Sequence, residues 1–201
     1  MSNITNFRSI VFFDTETVCL KPHQSVDTLL SLSMIKDYYN GETERKDYKF
    51  KLSGPKVYCI DEKALQINGY NEKDWEDAVD FKDVAREIAE FIHDTVLVAH
   101  NITFDLDHLE NAFKSCRWEK NINFSKNMKD EHDNMIYTLG RTKIDTKALA
   151  YLFLPVQSQS LNALREHLDI SIERAHSADT DTEDCRSLFY HILSKTHPAF
   201  S

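Results

Sequence analysis

The sequence predicts an α/β protein with a mixed five-stranded central sheet, three antiparallel strands followed by parallel ones, flanked by helices. Three observations carry this. The run "SIVFFDTE" (9–16) is short, apolar, β-branched and aromatic, as in a strand buried on both faces. Two further strand-like stretches follow, joined through Asn40-Gly41, a dipeptide suited to a tight hairpin. The apolar period then changes to that of helices alternating with short buried strands, the pattern of parallel crossover units.

Taken in order, strands are expected over about 27–39 and at "KDYKFKL" (46–52), then a short helix over 61–68. "DFKDVAREIAEFIHD" places Phe81, Val84, Ala85, Ile88, Phe91 and Ile92 at helical spacing. "TVLVAHN" reads as a buried strand and "FDLDHLENAFKSC" as a helix. "IDTKALAYLFL" reads as a helix stopped by Pro155, with Asp145 and Thr146 at its start. Ser160 is a suitable cap for a helix over "SLNALREHLDI", and a last helix runs from about Ala178 to Lys195. Between Cys116 and Thr142 the expectation is a long loop with one irregular strand.

The 201 residues, 41% hydrophobic, suit one domain spanning the whole chain (1–201) with a core that needs no disulfides. The four cysteines form no C-x-x-C pair, so reduced thiols are expected rather than a zinc site. "MSNITNFRSIVFF" lacks the features of an export signal and no long apolar run follows, which points to a cytoplasmic protein without membrane contact. The net charge of −9 argues against nonspecific binding of long duplex nucleic acid. The basic residues Lys114, Arg117, Lys120, Lys126, Lys129, Arg141 and Lys143 form a modest local excess that suits phosphate contact or a solvated loop equally well.

Asp14 and Glu16 stand one residue apart, so on a strand they share a face about 6–7 Å apart. Two carboxylates so placed repel unless protonated, solvated or bound to a cation. Asp105 follows the "TVLVA" strand and Asp181 lies at the start of the last helix, so a fold can gather all four acids. Such a set suits Mg²⁺ or Mn²⁺, and two ions about 3.5–4 Å apart would serve a phosphodiester displacement. Each acid also has a plainer reading. Asp14 could end a strand, Asp105 could favour a helix dipole, and Asp181 could belong to a solvated acidic turn with Asp179, Glu183 and Asp184. His176 alone would more often be a surface or core histidine.

Together, "FDTET" (13–17), "AHNITFD" (99–105) and "HSADTD" (176–181) resemble the three motifs of the DEDDh branch of the DnaQ-like 3′-to-5′ exonucleases. That group includes proofreading subunits, RNase T and oligoribonuclease. The match H-x-A-x-x-D falls on His176, Ala178 and Asp181, and Ser177 stands where the sister branch has tyrosine. "ALQINGYN", "IDTKALAYLFLP" and "SLNALREHLDI" resemble the connecting segments, so the similarity covers most of the chain. One departure is Val18-Cys19 where members commonly have Thr-Gly, the glycine permitting close backbone approach by the terminal nucleotide.

The resemblance implies a ribonuclease H-like fold and a metal-dependent exonuclease that releases nucleoside 5′-monophosphates from the 3′ end of single-stranded DNA or RNA. Asp14, Glu16, Asp105 and Asp181 would hold two Mg²⁺ or Mn²⁺ ions, with His176 as general base. It further implies substrate contacts from Thr15, Thr17, Leu20, His100, Asn101 and Phe104. Leu20 and Phe104 also read as core residues, and the Ala-His-Asn segment as a hydrogen-bonded helix start. Implied partners are 3′ ends, short oligonucleotides among them, and a polymerase or a second copy of the chain. A catalytically silent nucleic-acid-binding module is the alternative, and the intact acidic set speaks against it.

Overall fold

The computed structural model describes residues 9–21, 26–118, 142–170 and 177–196, together with three short strands between 122 and 138. In chain order these hold β1 (Ile10–Thr17), β2 (Leu29–Asp37), β3 (Thr43–Lys49), α1 (Glu62–Ile67), α2 (Phe81–Ile92), β4 (Val96–Ala99) and α3 (Ile102–Ser115). There follow β5 (Ile122–Asn123), β6 (Met128–Lys129), β7 (Met135–Thr138), β8 (Thr142–Asp145), α4 (Thr146–Phe153), α5 (Leu161–His167) and α6 (Ala178–Thr196).

The main sheet has the order β3-β2-β1-β4-β8. β1, β2 and β3 pair antiparallel, while β4 and β8 run parallel to β1, which is the mixed sheet the sequence predicts. The hairpin between β2 and β3 closes at Asn40-Gly41, where Gly41 takes φ +88, a conformation that glycine adopts without steric cost. β3 begins at Thr43, three residues before the expected start, and Phe50 leaves it to bridge Val79.

β1 is central because its side chains alternate between two cores. Val11 and Phe13 pack against α2 and α3, whereas Phe12 meets Ile35, Val98, Cys185 and Phe189 beneath α6. α6 is fastened to β2 by polar links as well. Arg186 Nε reaches Asp37 Oδ2 at 2.8 Å, Tyr190 donates its hydroxyl to the same oxygen at 2.8 Å, and Thr182 Oγ1 donates to the Ser33 carbonyl at 3.4 Å.

Three expectations need correction. Ile144 does not start a helix: 142–145 is the fifth strand of the sheet, hidden because it is four residues long, exposed at Thr142 and Lys143, and continuous with α4. Asp145 is nevertheless the cap of α4, accepting from Lys147 N at 2.9 Å. Between Cys116 and Thr142 three short strands form a second sheet of order β5-β7-β6, not one irregular strand. α3 starts at Ile102 rather than Phe104 because Asn101, at φ +69, makes the left-handed step into it. Among the described residues no helix is long and apolar enough to cross a membrane.

The two faces of this framework should respond differently to truncation. Phe12 is fully buried and its ring lies 5.4 Å from Phe189, so Phe12→Ala should cost about 3–5 kcal/mol in urea denaturation. Tyr151 on α4 is exposed, and Tyr151→Ala should stay within about 0.5 kcal/mol of the unaltered protein. Equal losses would contradict this placement of the core.

Candidate active site

β1 has β2 on one side and β4 on the other, so the chain fills the sheet first in one direction and then in the opposite one. In open α/β sheets, the crevice at the carboxyl ends of strands beside such a switch is where ligands bind. Asp14 and Glu16 lie there, opposite Ser33 and Ser31 of β2 and on the Phe12 face. α6 covers that face, and Asp181 precedes the buried Cys185 by four residues and Leu188 by seven, which sets it on the inward stripe of the helix. Asp14, Glu16 and Asp181 consequently each offer a carboxylate oxygen within 4.8 Å of the others.

Asp105 belongs to the first turn of α3 and is 3% exposed. Its Oδ1 accepts from both Thr15 N (2.9 Å) and Thr15 Oγ1 (2.7 Å), so it is tied to the residue between Asp14 and Glu16. The acid predicted from a different element is thus fastened to the same strand, although the closest triplet of oxygens does not include it.

The electrostatics follow from this crowding. Burial pushes the Asp14 carboxyl well above its usual range, with repulsion from Asp105, Glu16 and Asp181 adding to it and Arg165 opposing it. Burial, then Asp181 and Asp105, raise Glu16 to about 8. Burial raises Asp105 to about 7 against the two Thr15 hydrogen bonds. An all-oxygen donor set of this kind fits hard divalent cations such as Mg²⁺ or Mn²⁺, which would remove the repulsion that protons otherwise relieve.

The remaining predicted residues sort differently. His176 lies outside the described residues. Thr15 and Thr17 are buried; the first holds Asp105, and the second donates to the Cys19 carbonyl at 2.7 Å. Leu20 is 72% exposed, so it is not a core leucine. His100 has both ring nitrogens engaged, Nδ1 with Thr146 Oγ1 at 3.0 Å and Nε2 with the Gln159 carbonyl at 2.8 Å. Asn101 is exposed and its N–H donates to Asp145 Oδ1 at 2.9 Å. Phe104 is partly buried, 4.6 Å from the ring of His108. An open cavity of about 520 Å³ adjoins Glu16, lined in part by Ser31, Ser33, Tyr48, Trp75 and Ser177.

One residue of the site goes unnoticed in the sequence reading. Arg165 of α5 is 1% exposed and donates from Nη2 to Asp181 Oδ1 at 2.5 Å and from Nε to Asp184 Oδ2 at 2.6 Å. A signal was present: Arg165 falls on the stripe set by Leu161, Leu164 and Leu168, where a helix with an apolar inner face has no use for an unpartnered charge.

The raised carboxylates give a pH dependence with a definite sign. Their folded pKa values exceed the unfolded ones, so the folded protein binds more protons and loses stability as pH rises from about 4 through about 8. In EDTA the melting temperature should fall between about pH 5 and about pH 8, and Mn²⁺ should raise it more at the higher pH. Equal Mn²⁺ increments at both pH values would sink this account of the cluster.

Comparison with known proteins agrees with the geometry. The exonuclease family model RNase_T matches residues 11–189. The chain is 29% identical over 183 residues to the PolC-type DNA polymerase III of Bacillus subtilis, covering 91% of this chain and 11% of that protein. It is 34% identical over 121 residues to the 3′-5′ exonuclease DinG of Staphylococcus haemolyticus, covering 60% of this chain and 11% of that one. It thus spans about a tenth of the length of these relatives. Among solved structures, Escherichia coli exonuclease I in complex with a dA16 oligonucleotide superposes with a TM-score of 0.68 at 17% identity, over 96% of this chain and 42% of that one. The architecture is accordingly ribonuclease H-like, and the family match over residues 11–189 places this chain in the DnaQ-like exonuclease family.

Proposed function

We propose that the chain is a divalent-metal-dependent 3′-to-5′ exonuclease domain that removes nucleoside 5′-monophosphates from the 3′ ends of single-stranded nucleic acid. The observation that carries this is the convergence of Asp14, Glu16 and Asp181 within 4.8 Å, beside the Thr15-held Asp105. Family membership supports the reaction class, and the exonuclease I complex with an oligonucleotide supports a single DNA strand as substrate.

In this reading Asp14, Glu16, Asp105 and Asp181 would hold two Mg²⁺ or Mn²⁺ ions. When bound, such ions activate a water and stabilise charge on the attacking and leaving oxygens of the phosphodiester. His176 accepts the proton of the attacking water, since an imidazole titrates near working pH. Leu20, exposed beside the carboxyl end of β1, offers an apolar surface to the terminal base. Thr15 keeps Asp105 in place through two donors and so acts on the site without needing to touch substrate. The relatives with PolC-type names support a polymerase context, in which the domain would trim the growing 3′ end.

Digestion of matched 3′- and 5′-labelled single-stranded DNA and RNA with Mn²⁺ tests this. A 5′ label should give a ladder shortening from the other end, a 3′ label should be released at once as a mononucleotide, and EDTA should abolish both. His176→Ala should lower kcat about 10²- to 10⁴-fold with little change in Mn²⁺ affinity. If strands of every polarity, sugar and length survive intact while Mn²⁺ is bound, the domain is a binding module instead.

A further inference from the structure

The buried guanidinium of α5 has no place in the reaction as described, yet it touches one of the four acids. Arg165 is 1% exposed, and its planar fork is divided among three oxygens: Asp184 Oδ2 from Nε at 2.6 Å, Asp181 Oδ1 from Nη2 at 2.5 Å, and Asn162 Oδ1 from Nη1 at 2.7 Å. An arginine remains charged under all ordinary conditions, so a buried one must be matched by anions. Asp184, itself buried, supplies that match. Asp184 offsets the charge of Arg165, so Arg165 can grip Asp181 while the cluster with Asp14 and Glu16 stays acidic.

Geometry points the same way. Asp181 and Asp184 are three residues apart on α6 and therefore neighbours on one helix face. A planar donor with several N–H groups in fixed directions can span two such carboxylates, whereas an ammonium is a single point of charge. With one oxygen of Asp181 engaged by Nη2, rotation of that carboxylate about its own axis is restricted, and it presents a set orientation to Asp14 and Glu16.

We propose that Arg165 is a positioning residue of the metal site: bridged to Asp184, it fixes the orientation of the Asp181 carboxylate and thereby sets its affinity for a divalent cation. This rests on the exonuclease reading only in taking Asp181 as a metal ligand. Partners that orient a ligand from outside the coordination sphere are commonly worth 10- to 100-fold in metal affinity or activity.

The test is calorimetric titration of the full chain with Mn²⁺ in the absence of nucleic acid, followed by activity assays across Mn²⁺ concentration. Arg165→Lys keeps the charge but cannot span both carboxylates, so its Mn²⁺ affinity should fall roughly 10- to 100-fold. Its kcat should fall at limiting Mn²⁺ and recover partly at excess, with KM for the oligonucleotide unchanged. Asp184→Asn leaves the guanidinium uncompensated, so that it competes with the cation for Asp181, and should weaken Mn²⁺ binding in the same direction. Cooperative melting of both variants serves as the check on folding. Unaltered Mn²⁺ affinity in either folded variant overturns the positioning role and leaves Arg165 as a link between α5 and α6. A parent protein that binds Mn²⁺ but cuts no strand would overturn the exonuclease reading, while the affinity comparison would still decide the role of Arg165.

Discussion

Carboxylate crowding at one edge of the sheet is the constraint on which the rest of the structure depends. Three oxygens of like charge within 4.8 Å repel one another, so whatever holds them must come from elsewhere in the fold. It comes from apolar packing on both faces of β1 and from the links that tie α6 to β2. Phe12 buries beneath Phe189 two residues before Asp14, and Thr182 reaches the Ser33 carbonyl one residue after Asp181. The acids are thus brought together by neighbours whose stability does not depend on them. This is the arrangement needed if the cluster is to accept a cation without collapsing when the cation leaves.

The four acids are restrained in different ways. Asp105 is stabilised by neutral donors, the amide and hydroxyl of Thr15, which favour the ionised form without adding positive charge. Asp181 is gripped by a cation whose own charge is balanced by Asp184. Every influence on Glu16 pushes its pKa upward, and on Asp14 only the pull of Arg165, the smallest of the influences, opposes that trend. The two acids on the strand are therefore those for which a divalent ion changes most, whereas the two on helices are already fixed in position.

Much of this was legible in the sequence, for identifiable reasons. The alternation of a strand puts Asp14 and Glu16 on one face, and that survives because β2 pairs with β1 in regular register up to the bulge after Glu16, while β4 holds β1 from Ile10 to Phe12. The motif spacing selects Asp181 over Asp179 and Asp184, and helical periodicity sets aside Asp179 as well, since Asp181 and Asp184 share the stripe of Cys185 and Leu188 and Asp179 does not. Illegible were features that local pattern does not encode. The four-residue strand β8 is defined by pairing with β4, not by its own periodicity. Arg165 is defined by two acids 16 and 19 residues away, and a polar residue on a short amphipathic helix gives no indication of what it will meet.

The segment after β1 shows how a departure from a family pattern can be structurally conservative. A glycine would be required at position 19 only if the backbone there turned left-handed or had to be approached by another group, and Cys19 is not among the described residues with positive φ. Val18 and Cys19 instead turn inward, packing with Leu30, while the Val18 amide donates to the Thr28 carbonyl at 2.9 Å and its own carbonyl accepts from Asp61 N at 2.7 Å. Both side chains fill a small core that closes the segment from beneath. The outward side of the turn is left to Leu20, so the exposed apolar surface there is set by that leucine and not by the residues that differ from the family pattern.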